Sequence, residues 1–257
     1  MSTVQVIPVP GIPLVREGDD LAALILDALN TSGQSLHSGD ILCIAQKIVS
    51  KSEGRLVLLE SVSPSAAAIE LARETDKDPR MVELVLSESS EVVRKKPGVL
   101  ITRHRLGLVG ANAGIDQSNV AHDDGEMALL LPVDPDASAA RLCREIRERC
   151  SVDIGVIITD SANRPWRLGT VGIAIGSAGF NVLDDQRGGH DMFGRELKVT
   201  LINRADTIAT AALLVMGETI EKIPAAIVRG VPRQLPGPNQ SQRSKALVRP
   251  LEEDLFR

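Results

Sequence analysis

Aromatic side chains are scarce in this sequence: they make up 2% of its 257 residues, and tyrosine is absent. Modules that bind single-stranded nucleic acid stack the bases on such side chains. Nucleic-acid-binding domains also usually carry a positive field, whereas the formal net charge here is −5. The composition therefore argues against a nucleic-acid partner. A mildly acidic chain can still bind a nucleotide when metal ions bridge the like charges.

Cysteine is also rare, with three residues and no C-x-x-C pair. A sparse, odd count argues against a disulfide framework and is typical of a reducing compartment. Cys43 lies in an apolar run, and Cys143 and Cys150 lie on a helical pattern. We therefore expect all three to be small core residues.

Long apolar runs are missing as well. No stretch reaches the roughly 18 residues that are needed to span a bilayer. The N-terminus shows no basic region followed by an apolar stretch, which a secretion signal would have. We therefore expect a cytoplasmic protein with no membrane partner.

Hydrophobic residues make up 43% of the chain, enough for one large domain or two interlocked subdomains. Strand patterns occur at residues 4–9, 40–45, 55–59, 92–93, 99–102, 127–133, 152–159, 197–202 and 225–228. Helix patterns follow Asp19-Asp20 and cover 205–216. Three more helices are predicted where a capping side chain precedes a proline at the first helical position, at Ser63-Pro64, Asp78-Pro79 and Asp134-Pro135. The order is not a clean β-α-β alternation, so we predict a mixed α/β (α+β) fold rather than a standard doubly wound sheet.

The segment after the apolar run 154–159 carries the densest set of functional groups: Asp160, Ser161, Asn163, Arg164 and Arg167. We expect the strand to end at Asp160, which places its carboxylate at the rim of the sheet, where ligands bind in α/β folds. The oxygens are suitable ligands for Mg²⁺ or Mn²⁺, and the guanidinium groups can bind carboxylate or phosphate. The alternative is a plain turn in which Asp160 pairs with Arg164.

A glycine-rich loop at 110–119 places a carboxylate, Asp116, three residues before an amide, Asn119. Small residues allow a ligand to approach the backbone closely. The loop is not a Walker A sequence, because no Gly-Lys-Ser/Thr follows. Its alternative interpretation is a structural turn.

Two shorter patterns can also contact a ligand. Lys47 and Lys51 are four residues apart, so on a helical turn they share one face and can meet phosphate. Glu218 follows Gly217 at the end of a buried helix and is a candidate metal ligand. The alternatives are a solvated charged face and an ordinary exposed glutamate.

The four histidines have no metal-binding spacing, and no Cys-His or Ser-His signature is found. The sequence therefore does not predict a covalent nucleophile.

Four segments in this order resemble the coenzyme F420-0:L-glutamate ligases, the gamma-glutamyl ligases of the deazaflavin coenzyme, in their stand-alone form. The segments are Gly11-Ile12-Pro13-Leu14, Ile48-Val49-Ser50-Lys51-Ser52-Glu53-Gly54-Arg55, Gly114-Ile115-Asp116-Gln117-Ser118-Asn119, and Thr159-Asp160-Ser161 with Arg164-Pro165-Trp166-Arg167. The resemblance runs from about Val4 to Gly230. It implies a single ligase domain over 1–230, a loose C-terminal tail over 231–257, an unusual fold with mixed sheets, and an intertwined homodimer.

The resemblance also implies site residues. Asp116 and Asp160 would bind one divalent metal, and Ser161 and Glu218 would help bind a second. The metals would be Mg²⁺ or Mn²⁺, with K⁺ as a candidate further ion. Lys51, Arg164 and Arg167 would stabilise the transferring charge. Contacts to GTP would come from Gly11, Ile12, Pro13, Leu14, Gln46, Lys47, Lys51, Asn119, Met216, Gly217, Glu218, Thr219, Ile220, Glu221, Lys222 and Ile223.

The implied reaction joins the carboxylate of the deazaflavin precursor F420-0 to the amine of L-glutamate. GTP would activate the carboxylate as an acyl phosphate, with release of GDP and phosphate; further gamma-linked glutamates are a possible extension. Two alternatives remain open at this point. One is a metal-dependent phosphohydrolase that uses the same carboxylates, and the other is a non-catalytic protein that binds GTP and metal.

Overall fold

The computed structural model describes residues 3–118, 125–163, 167–232 and 242–254. The chain forms two compact units. The first unit comprises Met1–Pro13, Leu21–Ala45 and Pro135–Arg249, and the second comprises Leu14–Asp20, Gln46–Asp134 and Pro250–Arg257. The fold is mixed α/β, as the sequence predicts, and it contains several small sheets.

The elements follow one another along both units. In chain order they are β1 (Gln5–Pro8), α1 (Leu21–Thr31), β2 (Ile41–Ala45), α2 (Gln46–Ser52), β3 (Leu56–Leu58), α3 (Ala66–Thr75), α4 (Pro79–Glu88), β4 (Ser89–Lys96), β5 (Val99–His104), β6 (Val109–Ala111), β7 (Met127–Leu129), α5 (Pro135–Cys150), β8 (Gly155–Asn163), β9 (Thr170–Ala178), β10 (Leu183–Asp185), β11 (Leu201–Asn203), α6 (Arg204–Met216) and β12 (Ala225–Arg229).

The first unit is built on a five-stranded sheet in the order β1-β12-β2-β8-β9. Only β2 and β8 pair in parallel, and the other pairs are antiparallel. Helix α6 packs against the sheet in a buried cluster, and α5 also contacts β8 and β9. The cluster includes Ile41, Cys43, Ile157, Ala174, Phe180, Ala209 and Met216.

The second unit contains a three-stranded antiparallel sheet, β4-β5-β6, and a two-stranded pair, β3-β7. Helices α3 and α4 contact each other, and their apolar faces contribute to a second buried cluster. That cluster includes Leu59, Ala72, Met81, Val85, Leu100 and Leu130.

The Pro-capped helix starts are confirmed in two cases. Helices α4 and α5 begin at Pro79 and Pro135, and Asp78 accepts a hydrogen bond from the Arg80 amide at 2.8 Å. The third prediction is wrong, because α3 begins at Ala66 rather than at Pro64. Its N-cap is Ser65, whose hydroxyl accepts a hydrogen bond from the Ala68 amide at 3.2 Å.

Two predictions about the main sheet are also wrong. Strand β8 does not stop at Asp160 but continues to Asn163, because it pairs there with β9. The glycine-rich stretch 169–179, for which no strand was predicted, forms β9 itself. Both errors have one cause: the pairing, and not the local hydrophobic pattern, sets the length of these strands.

None of the three cysteines, all of which the structure describes, forms a disulfide, and Cys43 alone among them is buried. Cys143 is partly buried and Cys150 is exposed, so the expectation of three core cysteines is wrong for Cys150. In α5 the buried stripe consists of Pro135, Ser138, Ala139, Leu142 and Ile146. Among the described residues, no helix has the length and apolar character needed to cross a bilayer.

Candidate metal and nucleotide site

Asp160 lies where β8 leaves the main sheet. Strand β2 pairs with β8 from Gly155 to Thr159, and from Asp160 onward β9 is the one strand of the described residues that pairs with β8. The last residues of β8 thus form a two-stranded ribbon with β9. The carboxylate is partly buried, and its Oδ1 accepts a hydrogen bond from the Ser161 amide at 2.9 Å. The predicted rim position is therefore present, although the strand continues through it.

The ribbon turns its two faces in different directions. Gly172 pairs with Ser161, and a Cβ atom on Gly172 would lie 2.5 Å from the carbonyl oxygen of Ala209 in α6. The face that carries Ser161 is therefore the α6 face. Because side chains alternate along a strand, Asp160 points to the opposite face. Asp160 and Ser161 thus point to opposite faces of the ribbon, and the prediction that they bind two different ions stays a prediction.

Glu218 lies on the same face of the ribbon as Ser161. Thr170 pairs with Asn163, two residues beyond Ser161 along β8, and its hydroxyl contacts Glu218 Oε1 at 3.4 Å. Glu218 is exposed and directly follows Gly217, the C-cap of α6, whose φ is +70°. Within the first unit, the structure therefore brings Ser161 and Glu218 to one face.

The loop after α6 is held by hydrogen bonds to the side chain of one of its own residues, Glu221. Glu221 accepts hydrogen bonds from the amide of Thr219 at 2.8 Å and from its hydroxyl at 3.2 Å. Hydrogen bonds from the Glu221 and Thr219 backbone amides lower the pKa of the Glu221 carboxyl. A side chain at Gly217 would collide with that carboxylate, because its Cβ would lie 2.2 Å from Glu221 Cδ. Segment 216–223, which the resemblance predicts to contact GTP, thus contains a turn closed by the Glu221 hydrogen bonds. Met216 is buried and Ile223 is partly buried.

In the second unit, two segments that the sequence analysis treated separately meet. The Lys47 ammonium lies 2.6 Å from Asp116 Oδ2 and 2.9 Å from the Ser118 hydroxyl. Ser118 in turn donates to Asp116 through its amide at 2.7 Å and its hydroxyl at 2.9 Å. Asp116 is fixed by backbone hydrogen bonds with Leu129 in β7. Ser118 was not predicted as a site residue, although an aspartate commonly accepts a hydrogen bond from the backbone two residues further on.

The charges in this cluster influence one another. Burial raises the pKa of the Asp116 carboxyl, but the hydrogen bonds from Lys47 and Ser118 outweigh it and hold the pKa below its usual value. Burial and, secondly, the charge of Lys47 lower the pKa of Lys51. Helix α2 contains both lysines four residues apart, and it therefore places them on one face, as predicted.

The other predicted contacts have varied positions. Gln46 is buried, and its Oε1 accepts a hydrogen bond from the Ser50 hydroxyl at 2.9 Å. Gly11, Ile12 and Pro13 belong to the first unit, whereas Leu14, which is 85% exposed, belongs to the second. Lys222 has a left-handed backbone with a φ of +55°, and Thr219 and Ile220 are exposed.

Of the three predicted residues Asn119, Arg164 and Arg167, the structure describes Arg167. Arg167 is exposed, and Leu168 beside it is fully exposed. Arg164 and Asn119 lie outside the described residues.

The chemistry of the donors fits a hard divalent ion. Asp160, Ser161 and Glu218 offer only oxygen ligands, the type that Mg²⁺ and Mn²⁺ prefer. Among the described residues, no group of three or more His, Cys, Asp or Glu side chains gathers at one point to hold a metal. Asp116 belongs to the second unit and Asp160 to the first. That these two residues bind one ion together stays a prediction.

Comparison with known proteins places this chain in a family. Residues 11–230 match the F420-0:Gamma-glutamyl ligase family. The chain is 46% identical over 255 residues to the coenzyme F420:L-glutamate ligase of Methanothermobacter thermautotrophicus, with 99% of each chain covered. It is 45% identical to the coenzyme F420:L-glutamate ligase of Methanopyrus kandleri, over 100% of this chain and 99% of the relative. The enzyme of that name from Methanocaldococcus jannaschii is 43% identical over 86% of each chain.

These matches cover far more of the chain than the four motifs on which the resemblance was based, and they extend across both units. The prediction of an enzyme of the ligase class is thereby confirmed at the level of the family. The chain belongs to the F420-0:gamma-glutamyl ligase family.

Proposed function

We propose that this protein joins L-glutamate to the deazaflavin precursor F420-0 through an amide bond, at the expense of GTP. The observation that carries the proposal is the family match over residues 11–230, together with relatives named coenzyme F420:L-glutamate ligase that are 45–46% identical over nearly the whole chain. The oxygen ligands of the first unit and the lysines on α2 in the second support the use of a nucleotide with its metal ions.

The reaction needs activation because a carboxylate and an amine do not condense in water without a better leaving group. In the proposed course, a carboxylate oxygen of F420-0 attacks the γ-phosphorus of GTP. The bond between that phosphorus and the bridging oxygen breaks, and GDP leaves. The amine of glutamate then attacks the carbonyl carbon of the acyl phosphate, loses a proton, and displaces phosphate. No covalent enzyme intermediate forms, in agreement with the missing nucleophile signature.

Each group of residues has a role in this proposal. Asp116, Asp160, Ser161 and Glu218 would hold the divalent ions, which neutralise the triphosphate charge. Lys51 on α2 and the exposed Arg167 would stabilise the transferring phosphoryl group, with Arg164 in the same role. Lys47 balances the charge of Asp116 and keeps that carboxylate ionised, as the lowered pKa of Asp116 indicates.

A phosphate-release assay separates this function from its two rivals. The protein is incubated with GTP and Mn²⁺, with and without glutamate and F420-0, and with ATP or added K⁺ as further arms. Ligation predicts phosphate release that needs both glutamate and F420-0. Release without glutamate identifies a phosphohydrolase, and binding without release identifies a non-catalytic protein. Either of these two results overturns the proposal.

The metal roles are tested by Asp160→Asn. We expect the variant to lose at least about 100-fold in ligation rate, because it removes a charged oxygen ligand. Asp153→Asn is the matched control: Asp153 lies just before β8 and its side chain is half exposed, so this change should leave the rate intact. Wild-type activity of Asp160→Asn at saturating Mn²⁺ would remove Asp160 from the metal site.

We also propose that the protein is a homodimer. The first unit exposes large apolar side chains on the segment between β10 and β11: Met192 is 88%, Phe193 86% and Val199 86% exposed. Burial of such side chains against another chain would be favourable, because it removes apolar surface from water. Light scattering during gel filtration should give twice the chain mass, and Phe193→Ser should weaken the association. A wild-type monomer at micromolar concentration contradicts the proposal.

A further inference from the structure

Strand β9 contains a bulge next to the residues proposed to hold metal. Ile158 pairs with Gly176, but the next residue of β8, Thr159, pairs with Ala174. Ile175 is therefore the extra residue of β9. A bulge of this kind bends the strand and changes which side chains face each side.

The bulge decides what surrounds Ser161. Beyond it, Gly172 and Thr170 lie on the α6 face opposite Ser161 and Asn163. If the bulge were lost, the pairing would slip by one residue, and Ile173 and Val171 would take these positions. Because a one-residue slip reverses every side chain of the strand, Thr170 and its contact with Glu218 would leave the face that carries Ser161.

Side chains from outside the sheet also hold the β9 backbone at this point. The Ala174 amide donates to Asp206 Oδ1 at 2.8 Å, and the Ser244 hydroxyl donates to the Ile175 carbonyl at 2.7 Å. The Ser177 amide donates to Asp136 Oδ1 at 2.8 Å. Ala174, Ile175 and Ser177 thus each have a backbone group fixed by a side chain from outside the sheet.

Asp206 is itself fixed in one orientation. It lies in the first turn of α6, and its Oδ2 accepts a hydrogen bond from Asn203 Nδ2 at 2.7 Å. Asn203 is the N-cap of the helix, and its Oδ1 accepts from the Asp206 amide at 3.0 Å. Asn203 therefore cannot turn its amide group over without losing the cap. An acidic residue that only favoured the helix dipole would need neither of these partners.

We propose that Asp206 is a positioning residue for the metal ligands on the ribbon: it locks the β9 bulge and so sets Thr170 and Glu218 beside Ser161. The proposal rests on the proposed function for the statement that the ribbon holds metal. It assigns Asp206 no contact with substrate or ion.

A double-mutant cycle between Asn203 and Asp206 tests this. In Asp206→Asn, two NH₂ groups face each other, or one of them faces the Ala174 amide. In Asn203→Asp, two carboxylates face each other. The double variant Asn203→Asp with Asp206→Asn exchanges the partners and restores all three hydrogen bonds at unchanged net charge. Asp40→Asn serves as control, since it breaks the ion pair with Arg229 at the other end of β2.

The primary measurement is Mn²⁺ binding by calorimetry without substrates, at a temperature where every variant is folded. We expect each single variant to raise the dissociation constant about tenfold, the size found when groups behind metal ligands are changed. The double variant should return to within about twofold of wild type. Asp40→Asn should lower thermal stability without changing the dissociation constant. A second measurement on the metal-free proteins, hydrogen exchange, should show faster exchange of the β9 amides in both single variants.

Different results overturn different statements. Wild-type Mn²⁺ affinity and wild-type exchange of β9 in Asp206→Asn overturn the positioning role alone. A loss of affinity that the double variant does not restore overturns the hydrogen-bond explanation. If Asp206→Asn does not fold, Asn203→Asp carries the same test with the same rescue. If the wild-type protein binds no Mn²⁺, both the proposed function and the role of Asp206 in metal binding are overturned. If the β9 amides also exchange at the wild-type rate in Asp206→Asn, the statement that Asp206 holds the bulge is overturned as well.

Discussion

Gly172 offers a sharp test of how closely the ribbon packs on α6. A Cβ atom there would lie 2.5 Å from the carbonyl oxygen of Ala209, 2.8 Å from its carbon and 3.0 Å from the Thr210 amide nitrogen. All three are backbone atoms and cannot rotate away. In Gly172→Ala, β9 and α6 must therefore separate by about 1 Å to reach ordinary contact distances.

The cost can be worked out from two contributions. Overpacking of this kind typically costs about 1–3 kcal/mol. The separation also strains the hydrogen bond from the Thr210 hydroxyl to the Gly172 carbonyl, which is 2.8 Å long and contributes about 1 kcal/mol. We therefore expect the free energy of unfolding to fall by about 2–4 kcal/mol in Gly172→Ala.

Urea unfolding followed by circular dichroism measures this change. Gly110→Ala is the matched control: it lies in strand β6, has nothing within 4 Å of its Cβ position, and has no left-handed backbone. That substitution should be neutral or raise the free energy of unfolding by up to about 1 kcal/mol. A Gly172→Ala protein within about 0.5 kcal/mol of wild type would refute the close packing of the ribbon on α6.

Three further predictions concern stability. Asp40→Asn should lower the free energy of unfolding by about 3 kcal/mol, because Asp40 is 1% exposed and pairs with Arg229 through both oxygens; an unchanged urea midpoint would contradict this. Ser65→Ala should lower the free energy of unfolding by about 1 kcal/mol because Ser65 is the N-cap of α3, whereas Ser63→Ala should lower it by less than about 0.5 kcal/mol. Equal losses in the two variants would contradict Ser65 as the cap and favour the helix start at Pro64 that the sequence predicts. Because the folded pKa of Asp116 is lowered, its stabilising contribution is complete above its unfolded pKa and is lost as the pH falls through the folded value. The difference in unfolding free energy between wild type and Asp116→Asn should thus be constant above about pH 4 and shrink below it; a difference independent of pH down to 3 would contradict the shift.

Several features that depend on residues close together in the sequence were predicted correctly. The Asp-Pro steps predict the starts of α4 and α5 because the cap and the proline act within one turn. The apolar run before Asp160 predicts a buried strand for the same reason. The spacing of Lys47 and Lys51 correctly predicts one helix face, since four residues make about one helical turn.

Other features depend on partners that are distant in the sequence. Three of the four residues 160–163 are polar and the segment gives no strand pattern, yet it extends β8 because β9 lies beside it. Strand β9 is rich in glycine because α6 and the Pro135 backbone approach it, as the blocked Cβ positions at Gly172 and Gly176 demonstrate. No local pattern predicts the ion pair between Lys47 and Asp116, which are 69 residues apart in the sequence. The same holds for the hydrogen bond from the Ala174 amide to Asp206 at the bulge.

An isotope experiment tests the central claim, glutamate ligation through a phosphorylated carboxylate, most directly. F420-0 labelled with ¹⁸O in the reacting carboxylate is incubated with the protein, GTP, Mn²⁺ and L-glutamate, and the products are analysed by mass spectrometry and ³¹P NMR. The proposal predicts that F420-0 gains glutamate and that one ¹⁸O atom appears in inorganic phosphate for each amide formed. Label in GMP instead, or phosphate that is released unlabelled and without ligated product, would contradict it.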